Sequence, residues 1–166
     1  YPEHNPAYSN KYMLESWVKE YGTVNGIALT DTITTDAFLR DFTPKYATLF
    51  AGVRHDSADP FEWGEKMIAH YKNLGIDPLT KTLLFSDSLS LERAAEIYAY
   101  FKDKAKVAFG IGGTLASPKG KELNIVIKPV EVDGKPICKL SDCEGKNMCE
   151  DPEYIDFLKR TINWRM

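Results

Sequence analysis

The sequence has few cysteines, and their spacing does not suit a metal site. Cys138, Cys143 and Cys149 follow a C-x4-C-x5-C pattern, without a CxxC pair and with no histidine nearby. A structural zinc site uses closely paired cysteine or histidine ligands, so this spacing argues against zinc. Three cysteines in 166 residues are typical of a reducing compartment. We therefore expect three reduced thiols in a cytoplasmic protein.

Other absences narrow the class of protein. The 21 lysines and arginines and 24 aspartates and glutamates give a net charge of −3, and no basic block occurs. We therefore expect no nucleic acid partner. No apolar run approaches the length needed to cross a bilayer, and no signal-peptide pattern opens the chain, so we expect no membrane partner. The composition, 43% hydrophobic and 27% charged, is that of one soluble globular domain.

The chain begins at Tyr1, without an initiating methionine, on a stretch rich in proline and asparagine. We interpret it as a piece of a longer protein, although a trimmed form of a small protein would begin in the same way. Hydrophobic periodicity divides it into three consecutive parts of one domain. These are a lead-in with a first helix (1–22), a series of βα units (23–117), and a β-hairpin, polar loop and C-terminal helix (118–166).

Four apolar runs, each followed by a polar turn, predict the strands of the middle part. They span residues 26–30, 49–53, 82–85 and 106–109. Because the runs are almost continuously apolar, they indicate a parallel sheet covered on both faces. Periodicity and end signals predict the first four helices, over 11–21, 34–42, 60–74 and 91–102.

Local signals set the helix ends. Pro44 is predicted to end the second helix, because proline cannot continue one. Asp59 suits an N-cap and Pro60 the first helical position, which places residues 54–57 in the turn between a strand and a helix. The fourth helix is predicted to bury one stripe, made of Leu91, Ala94, Ala95, Tyr98 and Phe101.

The C-terminal part reads differently. Residues 123–132 predict a strand, Asp133-Gly134 a hairpin turn, and residues 136–140 the returning strand. A last helix is predicted from Pro152 to about residue 162, with Asp151 as its cap.

The spacing of the βα units limits the fold to two architectures. Asp31, Asp56, Asp87 and Gly110, each at the end of a predicted strand, follow one another at intervals of 25, 31 and 23 residues. About 30 residues per unit suits four units of a (β/α) barrel. An open doubly wound sheet has the same local pattern, so the spacing does not separate the two.

Three of the strand ends offer an aspartate beside a hydroxyl residue: Asp31-Thr32, Asp56-Ser57 and Asp87-Ser88. In a parallel sheet these ends meet at one edge, so we expect one shared site. Clustered carboxylates suit a Mg²⁺ ion that carries phosphate oxygens, or the hydroxyls of a ribose. Taken singly, each aspartate is more typical of a helix cap than of a ligand, and it is the three in register that indicate a site.

The fourth strand end is a glycine turn, Gly110-Ile111-Gly112-Gly113-Thr114, whose backbone amides could bind an anion. It lacks the spacing of a dinucleotide fingerprint and has no Walker lysine. Arg54 could bind a carboxylate or phosphate through two parallel hydrogen bonds, or pair structurally with Asp56 or Asp59. His55 is a possible acid or base, but the neighbouring arginine disfavours its protonated form.

Six segments, in order and covering nearly the whole chain from Trp17 onward, resemble the carboxyl-terminal part of bacterial nicotinate phosphoribosyltransferases, which are type II phosphoribosyltransferases. The segments are residues 26–42 (GIALTDTITTDAFLRDF), 54–60 (RHDSADP), 62–66 (EWGEK), 85–87 (FSD), 108–112 (AFGIG) and 139–142 (KLSD). The resemblance implies an α/β fold that is part of an irregular TIM-like barrel of about four βα units, followed by a β-hairpin and a C-terminal helix.

The resemblance also implies an activity and a set of partners. Members of the family join nicotinate to phosphoribosyl pyrophosphate, with Mg²⁺ and with ATP hydrolysis coupled to turnover, to give nicotinate mononucleotide for NAD biosynthesis. They are usually dimers, so we expect a homo-oligomer. An exposed apolar strand surface in an isolated half-barrel would also favour self-association.

The resemblance assigns roles to the strand-end residues. Arg54 falls where the family's arginine holds the pyridine acid, with Ser57 beside it. The catalytic carboxylates are Asp31, Asp56 and Asp87, of which Asp87 also contacts Mg²⁺ through the pyrophosphate. The remaining substrate ligands are Ser88, Gly110, Gly112, Gly113 and Thr114.

Two departures from the family pattern stand out. Ala58 stands where many members have glycine, which predicts a slightly tighter loop. The family's phosphorylated histidine, in a Gly-Thr-x-Ala-His-Glu stretch, lies upstream of Tyr1, and none of His4, His55 or His70 matches it. We therefore expect no turnover from these residues alone.

Two further hypotheses are a remnant that binds phosphoribosyl compounds without turnover and a structural half that works only with its partner. A phosphate-binding barrel aldolase or isomerase would need a Schiff-base lysine at a strand end, and none stands there.

Overall fold

A computed structural model describes residues 5–24, 26–112 and 127–162. The α-helices are Ser9–Tyr21 (α1), Thr35–Asp41 (α2), Pro44–Leu49 (α3), Pro60–Asn73 (α4), Leu91–Phe101 (α5) and Pro152–Thr161 (α6). The strands are Ile27–Leu29 (β1), Gly52–His55 (β2), Thr82–Phe85 (β3), Lys106–Phe109 (β4), Glu131–Val132 (β5) and Lys135–Pro136 (β6). Short 3₁₀ turns span Pro6–Tyr8, Pro78–Thr80 and Glu144–Lys146.

The first four strands form one parallel sheet in the order β1-β2-β3-β4. This confirms the predicted α/β class and the succession of βα units. The separate hairpin and the C-terminal helix are confirmed as well. The predicted boundary between residues 117 and 118 lies outside the described residues.

One face of the sheet packs against the helices and holds the main core. Val53, Leu83 and Phe85 are fully buried on this face, with Trp63 and Met67 of α4 against them. The opposite face carries the in-register row Leu29, Arg54, Leu84 and Ala108. Its apolar members are only partly buried and Arg54 is exposed. In the described part of the chain, the prediction of a sheet covered on both faces therefore holds for one face only.

The second strand begins later than predicted. Pro44 does more than end α2, because it also occupies the first turn of α3, where its missing N–H costs nothing. Leu49 therefore belongs to a helix, and β2 starts at Gly52. A side chain at Gly52 would place its Cβ 2.0 Å from the carbonyl oxygen of Thr82 on the neighbouring strand. Arg54 accordingly lies within β2 rather than in the turn after it.

The predicted stripe of α5 is confirmed in part. Ala94 and Phe101 are buried as predicted, whereas Leu91 and Tyr98 are 58% and 53% exposed. Ile97, which lay outside the predicted stripe, is fully buried. The Phe101 ring packs over Gly64 of α4, where a Cβ would approach it to 2.3 Å. This close approach of the two helices sets the buried face of α5, and it depends on a partner that lies outside the α5 sequence.

Helix starts and the hairpin turn follow the predicted signals. The Asp59 carboxylate accepts from the amides of Phe61 and Glu62, and Asp151 caps α6 in the same manner. Asp133 and Gly134 have φ values of 50° and 70°, as a tight hairpin requires. The hairpin strands have two residues each, and the first part of the predicted 123–132 strand lies outside the described residues.

The three cysteines are free thiols, as predicted. No helix in the described ranges is both long and apolar enough to cross a membrane.

Candidate active site at the carboxyl edge of the sheet

The three predicted aspartates lie at the same edge of the sheet, after β1, β2 and β3, and two lysines join them. Lys139 Nζ is 3.0 Å from Asp31 Oδ2 and 3.3 Å from Asp56 Oδ2. Lys146 Nζ is 2.5 Å from Asp87 Oδ1 and donates to the backbone carbonyl of Asp56. Both lysines belong to residues 139–148, which we name the lysine loop.

Asp31 is the most enclosed member of the site. Its Oδ2 accepts from Ser57 Oγ at 2.7 Å and Ser141 Oγ at 2.8 Å, and it pairs with Lys139. Burial alone would raise the pKa of this carboxyl, but the three donors and the lysine charge together lower it. Asp31 Oδ1 is buried and has no partner among the described residues. Asp31 is therefore an ionised anchor for the loops around it.

The lysine loop is fixed to the start of α2. The Asp142 carboxylate accepts from Thr35 N at 3.0 and 3.1 Å and from Thr35 Oγ1 at 2.5 Å. The amide of Leu140 donates to the carbonyl of Thr32, and the Leu140 side chain is buried in a second small core with Ile33. These contacts explain structurally why residues 139–142 form one of the motifs.

Arg54 is held from two sides and still presents a free edge. Its Nε donates to Ser86 Oγ at 2.8 Å, and its Nη2 lies 3.4 Å from Asp56 Oδ1. Ser86 is fixed in turn by donating to the carbonyl of His55. The Arg54 side chain is 46% exposed, and no described residue binds Nη1. The predicted structural pairing with Asp56 is therefore present, at 3.4 Å. Binding of a carboxylate or phosphate by the remaining edge of the guanidinium stays a prediction.

His55 faces the helix side of the sheet and not the site. It is 2% exposed and packs against Trp63 and Phe85, with Nε2 3.1 Å from the Ala58 carbonyl. Burial lowers the pKa of this imidazole, so the ring is neutral and Nε2–H donates to Ala58. Arg54 was predicted to disfavour the protonated ring; the pKa is instead lowered by burial, and the charge of Lys146 adds to this.

The serines and Ala58 occupy constrained positions. Ser57 is buried and bound to Asp31, so its role as a substrate ligand stays a prediction. Ser88 is exposed, has a φ of 48° and donates to Asp87 Oδ1 at 3.1 Å. Ala58 has a φ of 71°, a region that favours glycine and strains other residues. This strain explains why glycine suits position 58.

The glycine turn is only partly available to an anion. The Gly110 amide donates to the Phe85 carbonyl at 2.8 Å, so it continues the sheet and cannot bind a phosphate. This corrects the prediction for Gly110, whose lack of a side chain instead accommodates Ser86, 3.2 Å from where a Cβ would lie. Gly112 is exposed with open space around it. Gly113 and Thr114 lie outside the described residues.

Among the described residues, no group of three histidine, cysteine, aspartate or glutamate side chains is placed to bind a metal. Asp87, with Ser88 beside it, could contribute a single carboxylate ligand to a metal ion. That fits Mg²⁺, which binds through one or two protein carboxylates together with substrate phosphates.

A cleft of about 180 Å³ lies nearby, lined by Thr35, Ala58, Asp59, Glu62, Trp63, Lys66 and Asp142. It does not include Arg54, Asp56 or Asp87.

Sequence reasoning missed four polar residues of the site. Lys139 and Ser141 lie in the matched segment 139–142, which could have indicated them. Ser86 lies in the matched segment 85–87 but was assigned no role. Lys146 carries no sequence signal, because it reaches the site only through the fold of the lysine loop.

Comparisons with known proteins show the family of the chain. The model for the nicotinate phosphoribosyltransferase (NAPRTase) family matches residues 3–165, and the chain belongs to this family. It is 54% identical over 159 residues to a nicotinate phosphoribosyltransferase of Enterobacter sp. (strain 638), and 55% identical over 159 residues to one of Photorhabdus laumondii. Both alignments cover 95% of this chain, and they cover 40% and 39% of the relatives.

Two solved structures extend the comparison to the fold. A nicotinate phosphoribosyltransferase from Vibrio cholerae matches with a TM-score of 0.92 and 44% identity, over 98% of this chain and 41% of that one. One from Porphyromonas gingivalis matches with a TM-score of 0.89 and 38% identity, over 95% and 43% of the respective chains. The chain thus spans about 40% of the length of the curated relatives.

Proposed function

We propose that this chain supplies part of the active site of a nicotinate phosphoribosyltransferase that acts in NAD biosynthesis. The reaction joins nicotinate to phosphoribosyl pyrophosphate, gives nicotinate mononucleotide and pyrophosphate, and is coupled to ATP hydrolysis. The observation that carries the proposal is the position of Arg54. Its guanidinium is oriented by Ser86, lies 3.4 Å from Asp56 Oδ1 and keeps a partly exposed edge near the carboxyl end of β2.

The half-covered face of the sheet supports an irregular TIM-like barrel as the complete fold. Three of the four side chains in one row on this face are apolar but only partly buried, and the fourth is an exposed arginine: Leu29, Leu84, Ala108 and Arg54. In a barrel such a row would face the interior, closed by strands that the remaining part of the protein supplies. Homo-oligomer formation stays a prediction, which light scattering would check.

In the proposed mechanism, Arg54 binds the carboxylate of nicotinate and so orients the ring nitrogen towards the ribose. A fixed guanidinium selects the acid over the amide, because nicotinamide lacks the negative charge. Departure of pyrophosphate leaves positive charge on the anomeric carbon, as in glycoside chemistry. The half-buried Asp56 and Asp87 can stabilise this charge. Asp31 was predicted to share that role, but we propose that it positions the loops, because its Oδ2 is occupied by Ser57, Ser141 and Lys139.

Lys146 pairs with Asp87, and Lys139 pairs with Asp31 and Asp56. A pyrophosphate with its Mg²⁺ carries the same kinds of charge, so it can compete for the lysines and for Asp87. Mg²⁺, held through Asp87 and the substrate, would neutralise the leaving group. The exposed Gly112 amide is the described backbone donor that remains available to the 5-phosphate.

The test is conversion of labelled nicotinate to nicotinate mononucleotide. We expect product that depends on phosphoribosyl pyrophosphate and Mg²⁺ when the remaining part of the protein is present, and none from residues 1–166 alone. Binding of phosphoribosyl pyrophosphate without product in both samples would favour the alternative, a binding remnant. Absence of both binding and product would refute the proposal.

A further inference from the structure

Two cysteines face each other at the base of the lysine loop. The amide of Lys139 donates to the Met148 carbonyl at 2.8 Å, and the amide of Met148 donates to the Lys139 carbonyl at 2.9 Å. These two residues therefore form a hydrogen-bonded antiparallel pair. The same register places Cys138 opposite Cys149, in the adjacent non-hydrogen-bonded position.

This position suits a disulfide. The Cα atoms of a non-hydrogen-bonded pair are about 4.5 Å apart, and their side chains are closer than those of a hydrogen-bonded pair. Disulfides need a Cα separation of roughly 4.4–6.8 Å. The backbone of the lysine loop can therefore accept the bond without moving far.

The thiols already interact. Burial raises the pKa of the Cys138 thiol, and the adjacent Cys149 sulfur, to which it is hydrogen-bonded, raises it further. Cys138 is thus protonated and donates to the Cys149 sulfur. Cys149 Sγ also lies 3.4 Å from the Asp151 carbonyl. The third thiol, Cys143, is exposed before the turn Glu144–Lys146, away from this pair in register.

We propose that Cys138 and Cys149 form a reversible disulfide that closes the base of the lysine loop. The oxidant is a low-molecular-weight disulfide such as oxidised glutathione. The Cys149 thiolate attacks one of its sulfurs and releases one thiol. Cys138 then loses its proton and attacks the Cys149 sulfur, which releases the second thiol. Two cysteines are oxidised, and one small disulfide is reduced to two thiols that take up the two protons.

The bond would act on the residues that contact the site. Lys139, Ser141 and Lys146 reach the three aspartates from within the closed loop. Cross-linking the base removes open conformations of this loop, so the oxidised form holds the two lysines at the sheet edge more firmly. In a reducing compartment the pair stays a dithiol and responds only to oxidation.

The test uses the full-length native protein, equilibrated with reduced and oxidised glutathione at several ratios. Free thiols are then blocked, the protein is digested, and the linked peptides are identified by mass spectrometry. We expect the Cys138–Cys149 link in roughly tenfold excess over links to Cys143. Cys143→Ser, at an exposed position, should keep the link, and Cys149→Ser should abolish it.

A second measurement reads the effect on the loop. Limited proteolysis within residues 139–148 should be roughly tenfold slower in the oxidised protein, and the difference should vanish in Cys149→Ser. Links that favour Cys143, mixed disulfides with glutathione alone, or no oxidation at any ratio would overturn the proposal. Equal proteolysis of linked and unlinked protein would overturn the stated effect on the loop.

Discussion

The ammonium group of Lys139 lies 3.0 Å from the carboxylate of Asp31, and both side chains are largely withdrawn from solvent, with 15% and 2% exposed. One residue belongs to the lysine loop and the other follows the first strand. Lys139 also pairs with Asp56, whereas Lys139 is the counter-charge of Asp31 among the described residues. This pair connects the C-terminal part of the chain to the sheet edge. It gives the first prediction.

Replacing Lys139 by Met should reduce the free energy of unfolding by about 3 kcal/mol, because it leaves a buried carboxylate without its counter-charge. Adding Asp31→Asn should cost less than the sum of the two single changes, since the pair couples. Urea unfolding of the four proteins measures both effects. Lys66→Met is the matched control, because Lys66 pairs with the exposed Asp36, and it should cost less than about 0.5 kcal/mol. Additive losses would contradict the coupling.

Asp31 also predicts how stability depends on pH. Its folded pKa lies below the ordinary value of 3.8, because the surrounding donors outweigh burial. The stabilisation is present above the unfolded pKa and disappears as pH falls through the folded one. Between pH 5 and pH 3 the wild type should therefore lose more stability than Asp31→Asn, as measured by chemical unfolding. Parallel losses in the two proteins would show that Asp31 is not the group responsible.

The His55 imidazole should titrate below its ordinary pKa of 6.5, because burial disfavours the charged ring. The unfolded chain then binds this proton more readily, so His55 should lower stability as pH falls below about 6.5. An NMR titration of the ring protons reads the pKa directly. The same histidine in urea-unfolded protein is the reference. A folded pKa at or above the unfolded one would refute the assignment.

Ala58→Gly should stabilise the protein by up to about 1 kcal/mol, because glycine adopts the φ of 71° found there without strain. Ala95→Gly offers a control of opposite sign. Ala95 is exposed within α5, where glycine should cost about 1 kcal/mol. Thermal unfolding of both variants makes the comparison. Destabilisation of equal size at the two positions would mean that the Ala58 backbone is not strained.

Short sequence patterns correctly predicted two strands and the starts of two helices, because neighbouring residues determine these features. Thr82–Phe85 and Lys106–Phe109 were predicted with the bounds that the structure shows, and Asp59 and Asp151 cap the helices they were expected to begin. The aspartates converge because parallel strands share one edge. The charge partners of the aspartates at that edge, Lys139 and Lys146, come from a part of the chain distant in sequence.

The failures have non-local causes. The buried face of α5 is set by Phe101 packing over Gly64, a partner in another helix that no periodicity reveals. The Gly110 amide is used by the sheet, which only the register shows. Lys146 reaches Asp87 through a loop that follows a separate hairpin. The lysine partners of the three aspartates were not predicted, because they come from a part of the chain distant in sequence. Binding of Mg²⁺ by these carboxylates stays a prediction.

The most direct test of the proposed site is the effect of Arg54→Ala on the two substrates of the full-length enzyme. Loss of a charge-assisted, two-point contact should raise the KM for nicotinate roughly ten- to hundredfold. The KM for phosphoribosyl pyrophosphate should change less than about threefold, because Arg54 is proposed to contact only the pyridine acid. Arg93→Ala, at a partly exposed arginine of α5, is the matched control and should change neither constant. An equal loss for both substrates, or no loss for nicotinate, would contradict the account.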